Sequence, residues 1–234
     1  MLISFECAVG FRQNPHGSKE QIAKMPIVFC HFPKAGGSSI AQQLREEFRD
    51  TCLPDYDHDP LGSHGKETVD RLPPDINAVL GHFCAQRYDA VERRFLFTFL
   101  RQPIDNLLSV YFFWQSYPRS SNPWHQRFLD EAPDILSFAR YEPLQRLMSG
   151  SYFGGFDMKR FNFIGFHETR SVDIGVLNGL TGLRLRAEVH ENKTVNGAEQ
   201  REEIMHDRKI MNALETLLVE DMRFYRTIWL DRAR

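Results

Sequence analysis

The sequence predicts an α/β fold: P-loop-like and three-layered, with a central, mostly parallel sheet of about four to five strands flanked by helices. Four short runs of apolar, β-branched and aromatic residues carry this prediction, at 27–32, 76–81, 95–100 and 161–166. Strands that are buried on both faces of a parallel sheet form such continuous apolar runs. Helical patterns separate the runs, and this alternation favours parallel pairing.

The first apolar run leads into a loop with the composition of a phosphate site. Its residues are Lys34, Ala35, Gly36, Gly37, Ser38 and Ser39, followed by helical apolar positions at Ile40, Leu44 and Phe48. Glycines let the backbone approach an anion, and the N–H groups of a first helical turn point at it. The serine hydroxyls add donors or caps. An ordinary turn with a serine cap is the alternative.

The order of residues in this loop indicates which classes of phosphate-binding protein it does not fit. In the pattern G-x-x-x-x-G-K-[ST] the lysine follows the glycines, whereas Lys34 precedes them. This departure argues against an ordinary ATPase or GTPase.

The third apolar run ends in Arg101, and Pro103 then suits the first turn of a following helix. Arg101 is therefore expected at the carboxyl end of a central strand, where open α/β sheets bind ligands. Ser109 lies two turns further on and is placed to share an anion with Arg101. The alternatives are a helix-flanking salt bridge for Arg101 and a solvated or back-bonded hydroxyl for Ser109.

The two segments together resemble the PAPS-dependent sulfotransferases, especially the membrane-type and bacterial carbohydrate branch (PAPS is 3′-phosphoadenosine 5′-phosphosulfate). HFPKAGGSSI resembles the 5′-phosphosulfate loop of that family, and FLRQPIDNLLSVYFFW resembles its 3′-phosphate motif. Weaker similarity at 81–83, 163–168 and 221–225 extends the likeness over about residues 26–230.

The resemblance implies transfer of a sulfuryl group from PAPS to an acceptor hydroxyl, most often on a sugar, so the implied partner is a glycan or glycoconjugate. Lys34 matches the residue that stabilises charge on the leaving phosphate, and 35–39 match the cradle of the 5′-phosphosulfate. Arg101 and Ser109 match the binders of the 3′-phosphate, where a guanidinium fork meets two oxygens. In-line positioning and charge stabilisation drive such transfers, and no metal is required.

The acceptor hydroxyl needs a base, and two residues are candidates. His82 follows the second apolar run, and the branch with a glycine-histidine pair at this point uses the histidine as its base. A structural, hydrogen-bonding histidine is the alternative. Glu168 is the second candidate, since some relatives use a carboxylate, and helix capping or a salt bridge is its alternative role.

Two further segments are candidate binding elements. Residues 115–160 interrupt the strand–helix alternation and are predicted to form a helical, acceptor-binding insertion. Residues 190–194 form a polar loop in which Lys193 is the residue expected to touch the nucleotide or acceptor, with an ordinary surface loop as the alternative. A group of aromatic residues is expected to belong to the hydrophobic core, with a sugar-stacking face as the alternative. The group consists of Phe112, Phe113, Trp114, Tyr117 and Trp124.

Residues 51–75 are predicted to be a loop with a short helix, and residues 199–231 to form one or two helices packed on the sheet. The loop holds a polar group consisting of Asp55, Asp57, His58, Asp59 and His64. Its spacing matches no dedicated metal site, so a solvated loop is favoured.

Composition fits a single globular domain over 1–234 with a polar lead-in at 1–25. Hydrophobic residues make up 42% and charged residues 26% of the chain. A net charge of −2 gives no global attraction to nucleic acid or anionic membrane. The absence of a long apolar run or signal-peptide pattern indicates a cytoplasmic enzyme without a membrane span. Cys30 and Cys84 are expected to be buried small hydrophobes.

Two other functions remain open. One is a nucleotide-dependent phosphotransferase or kinase, which would need a carboxylate at the end of a strand. The third apolar run ends in Arg101 instead of an aspartate, which counts against this function. A non-catalytic, sulfotransferase-like binding protein would keep the fold without the chemistry, although Lys34, Arg101, Ser109 and His82 are all present.

Overall fold

A computed structural model describes residues 22, 25–62, 67–187 and 197–232. Its centre is a five-stranded, all-parallel sheet flanked by helices in an α/β three-layer fold, which confirms the predicted fold class. The strands are β1 (Ile27–Cys30), β2 (Cys52–Pro54), β3 (Ala78–Gly81), β4 (Phe95–Leu100) and β5 (Phe163–Phe166). Their order across the sheet is β2-β3-β1-β4-β5.

The four predicted strands are all present, with shorter bounds for three of them. β1 ends two residues earlier than expected, β3 and β5 begin two residues later, and β4 matches its prediction. The prediction of a loop with a short helix at 51–75 is wrong at β2, which pairs in parallel with β3. β2 has three residues, too few to produce a recognisable apolar alternation.

Nine helices and several single turns surround the sheet in the described ranges. The helices are α1 (Gly37–Phe48), α2 (Pro103–Ser116), α3 (Pro123–Glu131), α4 (Ile135–Phe138), α5 (Glu142–Gln145), α6 (Arg170–Thr181), α7 (Ala198–His206), α8 (Arg208–Leu217) and α9 (Val219–Arg232). A π-helical turn spans Leu147–Tyr152. Of the described helices, none has the length and apolarity needed to cross a membrane.

The C-terminal region contains three helices, so the prediction of one or two is wrong. Asp207 separates α7 from α8, because its carboxylate caps α8 by accepting from the N–H groups of Lys209 and Ile210. α9 reaches the sheet, where Tyr225 and Trp229 place their rings on Phe166 of β5.

The strand order places a crevice beside β1. The chain leaves β1 toward β2 and β3 on one side, whereas β4 leads to β5 on the other side. Ligands of open α/β sheets bind at such a switch point, outside the carboxyl ends of the strands. In the register, Cys30 lies opposite both Gly81 and Thr98. The residues that follow β1 and β3 are therefore direct neighbours.

A buried carboxylate fixes the chain after β2. Asp55 is 6% exposed, and its oxygens accept from Arg87 Nε at 2.5 Å, the Tyr88 hydroxyl at 2.7 Å and His58 Nδ1 at 2.6 Å. Burial opposes ionisation, but these hydrogen bonds outweigh it and hold the pKa of Asp55 below its ordinary value. The prediction of a solvated loop is therefore wrong for Asp55.

The position of the Asp55 backbone also explains why residue 81 is a glycine. A Cβ on Gly81 would lie 1.6 Å from the Asp55 carbonyl oxygen, so only glycine permits this approach. His64 lies outside the described residues, and the described ones contain no group of three or more potential metal ligands. Cys30 and Cys84 are buried, as predicted.

We expect Asp55→Asn to lower the free energy of unfolding by about 3 kcal/mol, because it leaves Arg87 buried without its counter-charge. Urea denaturation at neutral pH measures this loss. Asp57→Asn is the matched control, because Asp57 is exposed two residues away and should change stability by less than about 0.5 kcal/mol. Equal stability of the two variants would contradict the role of Asp55.

Candidate functional site

The loop 31–36 joins β1 to α1 and bends sharply before the helix begins at Gly37. Gly36 has a φ of 83° and Lys34 a φ of 56°, both in the left-handed region. Glycine adopts this conformation freely, whereas a lysine there is strained and must be held by its surroundings. The two positions turn the backbone so that α1 starts close to the carboxyl edge of the sheet.

Four carbonyl groups of this loop each accept a hydrogen bond from a different neighbouring element. The pairs are His31 O with His82 Nδ1 (2.7 Å), Pro33 O with Asn106 Nδ2 (2.7 Å), Lys34 O with Arg101 Nη1 (3.1 Å) and Gly36 O with Arg170 Nη1 (2.7 Å). The donors follow β3, lie in α2, follow β4 and begin α6. With these carbonyls engaged, the first N–H groups of α1, which have no partner within the helix, are suited to an anion.

Lys34 and Arg101 bring two positive charges to the carboxyl ends of neighbouring strands. Lys34 Nζ lies 4.2 Å from the centre of the Phe113 ring, in a cation–π contact. Burial, and then the charge of Arg101, lower the pKa of Lys34. An anion bound between the two cations would relieve this repulsion.

His82 is held in the tautomer that a base requires. Its Nδ1 faces the His31 carbonyl oxygen and must carry the hydrogen, so Nε2 of the neutral ring is an acceptor. Burial lowers the pKa of His82, with the nearby Asp59 carboxylate acting in the opposite direction. The Tyr56 ring meets the His82 ring edge-on at 5.0 Å.

His31 is a site residue to which the sequence assigned no role. It is 5% exposed, stacks on His82 with ring centres 4.5 Å apart, and has Nδ1 3.2 Å from the Tyr56 hydroxyl oxygen. A Cβ on Gly37 would lie 2.2 Å from the His31 ring, so this glycine makes room for the imidazole. Burial, with smaller effects from His82, Arg45 and Lys34, places the pKa of His31 well below its ordinary value.

An open cleft of about 640 Å³ brings three of the predicted site residues together: Lys34, Ser38 and His82. This volume is typical of small-molecule sites. The predicted insertion 115–160 supplies much of the far wall, including Tyr117, Ser120, Asn122, His125, Leu147 and Tyr152. Phe112 and Trp114 are core residues as expected, but Tyr117 is 47% exposed and is not.

The other predicted site residues in the described ranges are not among those that line the cleft. Ala35 is buried beneath the loop, and Arg101 and Ser109 are half-buried. Glu168 accepts from the backbone N–H of Gln102 at 2.7 Å and from the Tyr225 hydroxyl at 2.9 Å, contacts that tie α2 to α9. Lys193 lies outside the described residues.

Arg170 is a further residue that sequence reasoning missed. Its guanidinium donates to Gly36 O at 2.7 Å and to Ser39 Oγ at 2.6 Å, across a separation of 131 residues in the second case. Arg170 follows the similarity at 163–168 and has no local pattern that marks it. Only the packing of α6 against the loop reveals its position.

The chain matches no family model and no curated protein sequence.

We expect the stability of the protein to fall as the pH drops through about 6.5, because the unfolded chain then binds protons that buried His31 resists. His31→Gln removes this titration. Urea denaturation at about pH 7.5 and about pH 5.5 should show the wild type losing about 1 kcal/mol more than the variant.

His206→Gln provides the control, because His206 lies at the exposed end of α7. It should lose as much stability as the wild type over the same interval. An equal loss in all three proteins would show that His31 does not resist protonation.

Proposed function

We propose that this protein is a PAPS-dependent sulfotransferase that acts on a hydroxyl group of a carbohydrate acceptor. One observation carries the proposal: Lys34 lies in the loop that follows β1, and His82 and Arg101, which follow the neighbouring strands β3 and β4, donate hydrogen bonds to that loop. A base, a lysine cation and a guanidinium fork would thereby serve one anion site at the switch point of the sheet.

The donor nucleotide would lie along the loop and the start of α1. The 5′-phosphosulfate would take the first N–H groups of the helix and the hydroxyls of Ser38 and Ser39. Arg101, which precedes α2, and Ser109, which lies in α2, would bind the 3′-phosphate. This phosphate distinguishes PAPS from ATP, and a planar guanidinium can meet two of its oxygens.

The chemical step would be an in-line displacement at sulfur. The acceptor oxygen forms a bond to sulfur while the bond between sulfur and the 5′-phosphate oxygen breaks, and PAP leaves with the negative charge. His82 Nε2 takes the hydroxyl proton, as its fixed tautomer permits. Lys34, which lines the same cleft, stabilises the charge that grows on the phosphate.

The acceptor would enter from the wall formed by 115–160. His125 belongs to this wall but is buried, and both of its ring nitrogens are hydrogen-bonded within the protein. The wall presents a hydroxyl, an amide and an exposed aromatic ring to the cleft, through Ser120, Asn122 and Tyr117. Such a mixture suits a polyhydroxylated ring, whose edges form hydrogen bonds while its faces contact aromatic carbon. A glycan or glycoconjugate is the acceptor class that this wall favours.

We expect calorimetric titration without magnesium to show tighter binding of PAP than of ADP, because only PAP carries a 3′-phosphate. Arg101→Ala should weaken PAP binding by about tenfold to a hundredfold, the value of a charge-assisted contact, and should abolish the preference over ADP.

Asn106→Ala is the control for this experiment. It removes the hydrogen bond to the neighbouring Pro33 carbonyl but leaves every cation in place, so the preference for PAP should persist. Equal binding of PAP and ADP by the wild type would contradict the proposal. Magnesium-dependent ATP binding would then support a kinase, and binding without transfer to any acceptor would support a non-catalytic protein.

We expect His82→Gln to slow transfer of labelled sulfate from PAPS by about a hundredfold or more while PAP affinity changes little. Because burial lowers the pKa of His82, the wild-type rate should fall on the acid side only below about pH 6.5. The pH dependence of the rate constant measures this limb.

Glu168→Gln tests the second candidate base. The carboxylate already binds Gln102 and Tyr225, so its replacement by an amide should slow transfer far less than His82→Gln. A larger loss in the Glu168 variant would transfer the role of base from His82 to Glu168.

A further inference from the structure

Arg170 is a buried cation with neutral partners. Its side chain belongs to a residue only 5% exposed, at the start of α6. The guanidinium donates to Gly36 O at 2.7 Å, to Ser39 Oγ at 2.6 Å and more weakly to Ala187 O at 3.4 Å. Hydrogen bonds to neutral oxygens satisfy the N–H groups but leave the charge itself without compensation.

Among the described residues, Arg87 is the other buried arginine, and it is paired with the carboxylate of Asp55. The half-buried Arg232 is likewise paired with Asp173. Within residues 25–62, 67–187 and 197–232, no carboxylate pairs with Arg170. Burial lowers the pKa of Arg170 to about 10, so the group still carries its charge at neutral pH. An uncompensated charge in this position is costly for the fold.

The location of the charge indicates what offsets it. Arg170 holds the carbonyl of Gly36 on one side of the helix start and the hydroxyl of Ser39 on the other. It touches the loop closely, since a Cβ on Gly36 would lie 2.9 Å from Arg170 Nη1. Ser39 Oγ can only accept from the guanidinium, so its own hydrogen is free to point elsewhere.

We propose that Arg170 is a third cation of the loop 31–36, buried where Lys34 and Arg101 are half-buried, and that it is neutralised by the phosphate-bearing anion that the loop binds. It acts as a positioning residue through Gly36 and Ser39. The inference rests on the proposed function only in that the loop binds such an anion. Binding of the nucleotide would then offset the unfavourable energy of the buried Arg170 charge, which the protein without nucleotide retains.

Arg170→Met tests this coupling, because it keeps the bulk of the side chain and removes the charge. We expect it to weaken the binding of both PAP and inorganic pyrophosphate by about tenfold. The melting temperature without nucleotide should stay within a few degrees of the wild type or rise, since an unpaired buried charge has been removed. Calorimetry and thermal unfolding measure the two effects.

Two variants separate charge from structural support. Arg170→Lys keeps the charge without the fork and should recover most of the lost affinity. Arg87→Met removes a buried arginine that is paired with Asp55, and should lower the melting temperature by about 10 °C. If Arg170→Met instead lowers the melting temperature and Arg170→Lys restores no affinity, Arg170 is structural support alone and the inference is overturned.

The probes also separate this inference from the proposed function. If wild type binds pyrophosphate but not PAP, and Arg170→Met weakens pyrophosphate binding, the sulfotransferase assignment fails and the role of Arg170 stands. If wild type prefers PAP and Arg170→Met binds it as tightly, the role of Arg170 fails alone. Binding of neither probe by wild type would overturn both.

Discussion

The hydrogen bonds to the carbonyl groups of the loop 31–36 are the constraint on which the site depends. A short loop between a strand and a helix has more backbone acceptors than it can satisfy itself. Here side chains that follow β3 and β4 and that lie in α2 and α6 supply the donors. The same bonds hold Lys34 in a strained backbone conformation and set the direction of α1. The conformation of the loop therefore depends on the order of the strands in the sheet, because each donor is placed by a different strand or helix.

This arrangement is electrostatically unfavourable, because it gathers positive charges at one loop. Lys34 belongs to the turn of backbone that Arg101 and Arg170 both contact. The lowered pKa values of Lys34 and Arg170 reflect charges partly removed from water. Asp55 and Arg87 differ from these residues, because the two buried side chains form an ion pair and neutralise each other directly. Within the described residues, no carboxylate pairs with Arg170, and a buried positive charge of this kind is typical of a binding site rather than of a structural core.

The sequence was sufficient for elements that carry their own signal. The apolar run at β4 was bounded correctly, and the glycines and Pro103 marked where helices begin. β2 was missed because three residues have no periodicity. The burial of Asp55 was missed because two of its three partners, Arg87 and Tyr88, lie over thirty residues away. Arg170 was missed for the same reason, since its contacts cross 131 and 134 residues. Local patterns predict elements, whereas the pairing of charges depends on tertiary packing.

The orientation of His82 shows how the register of the sheet reaches the chemistry. Cys30 and Gly81 are paired, so the next residues, His31 and His82, must lie side by side. The His31 carbonyl then accepts a hydrogen bond from His82 Nδ1, and the stacked His31 ring packs against the imidazole on one face. A shift of one residue in this pairing would move the carbonyl and release the tautomer. The imidazole of His82 is held by the main chain that directly follows β1, and it therefore lies beside the loop 31–36, which continues that strand.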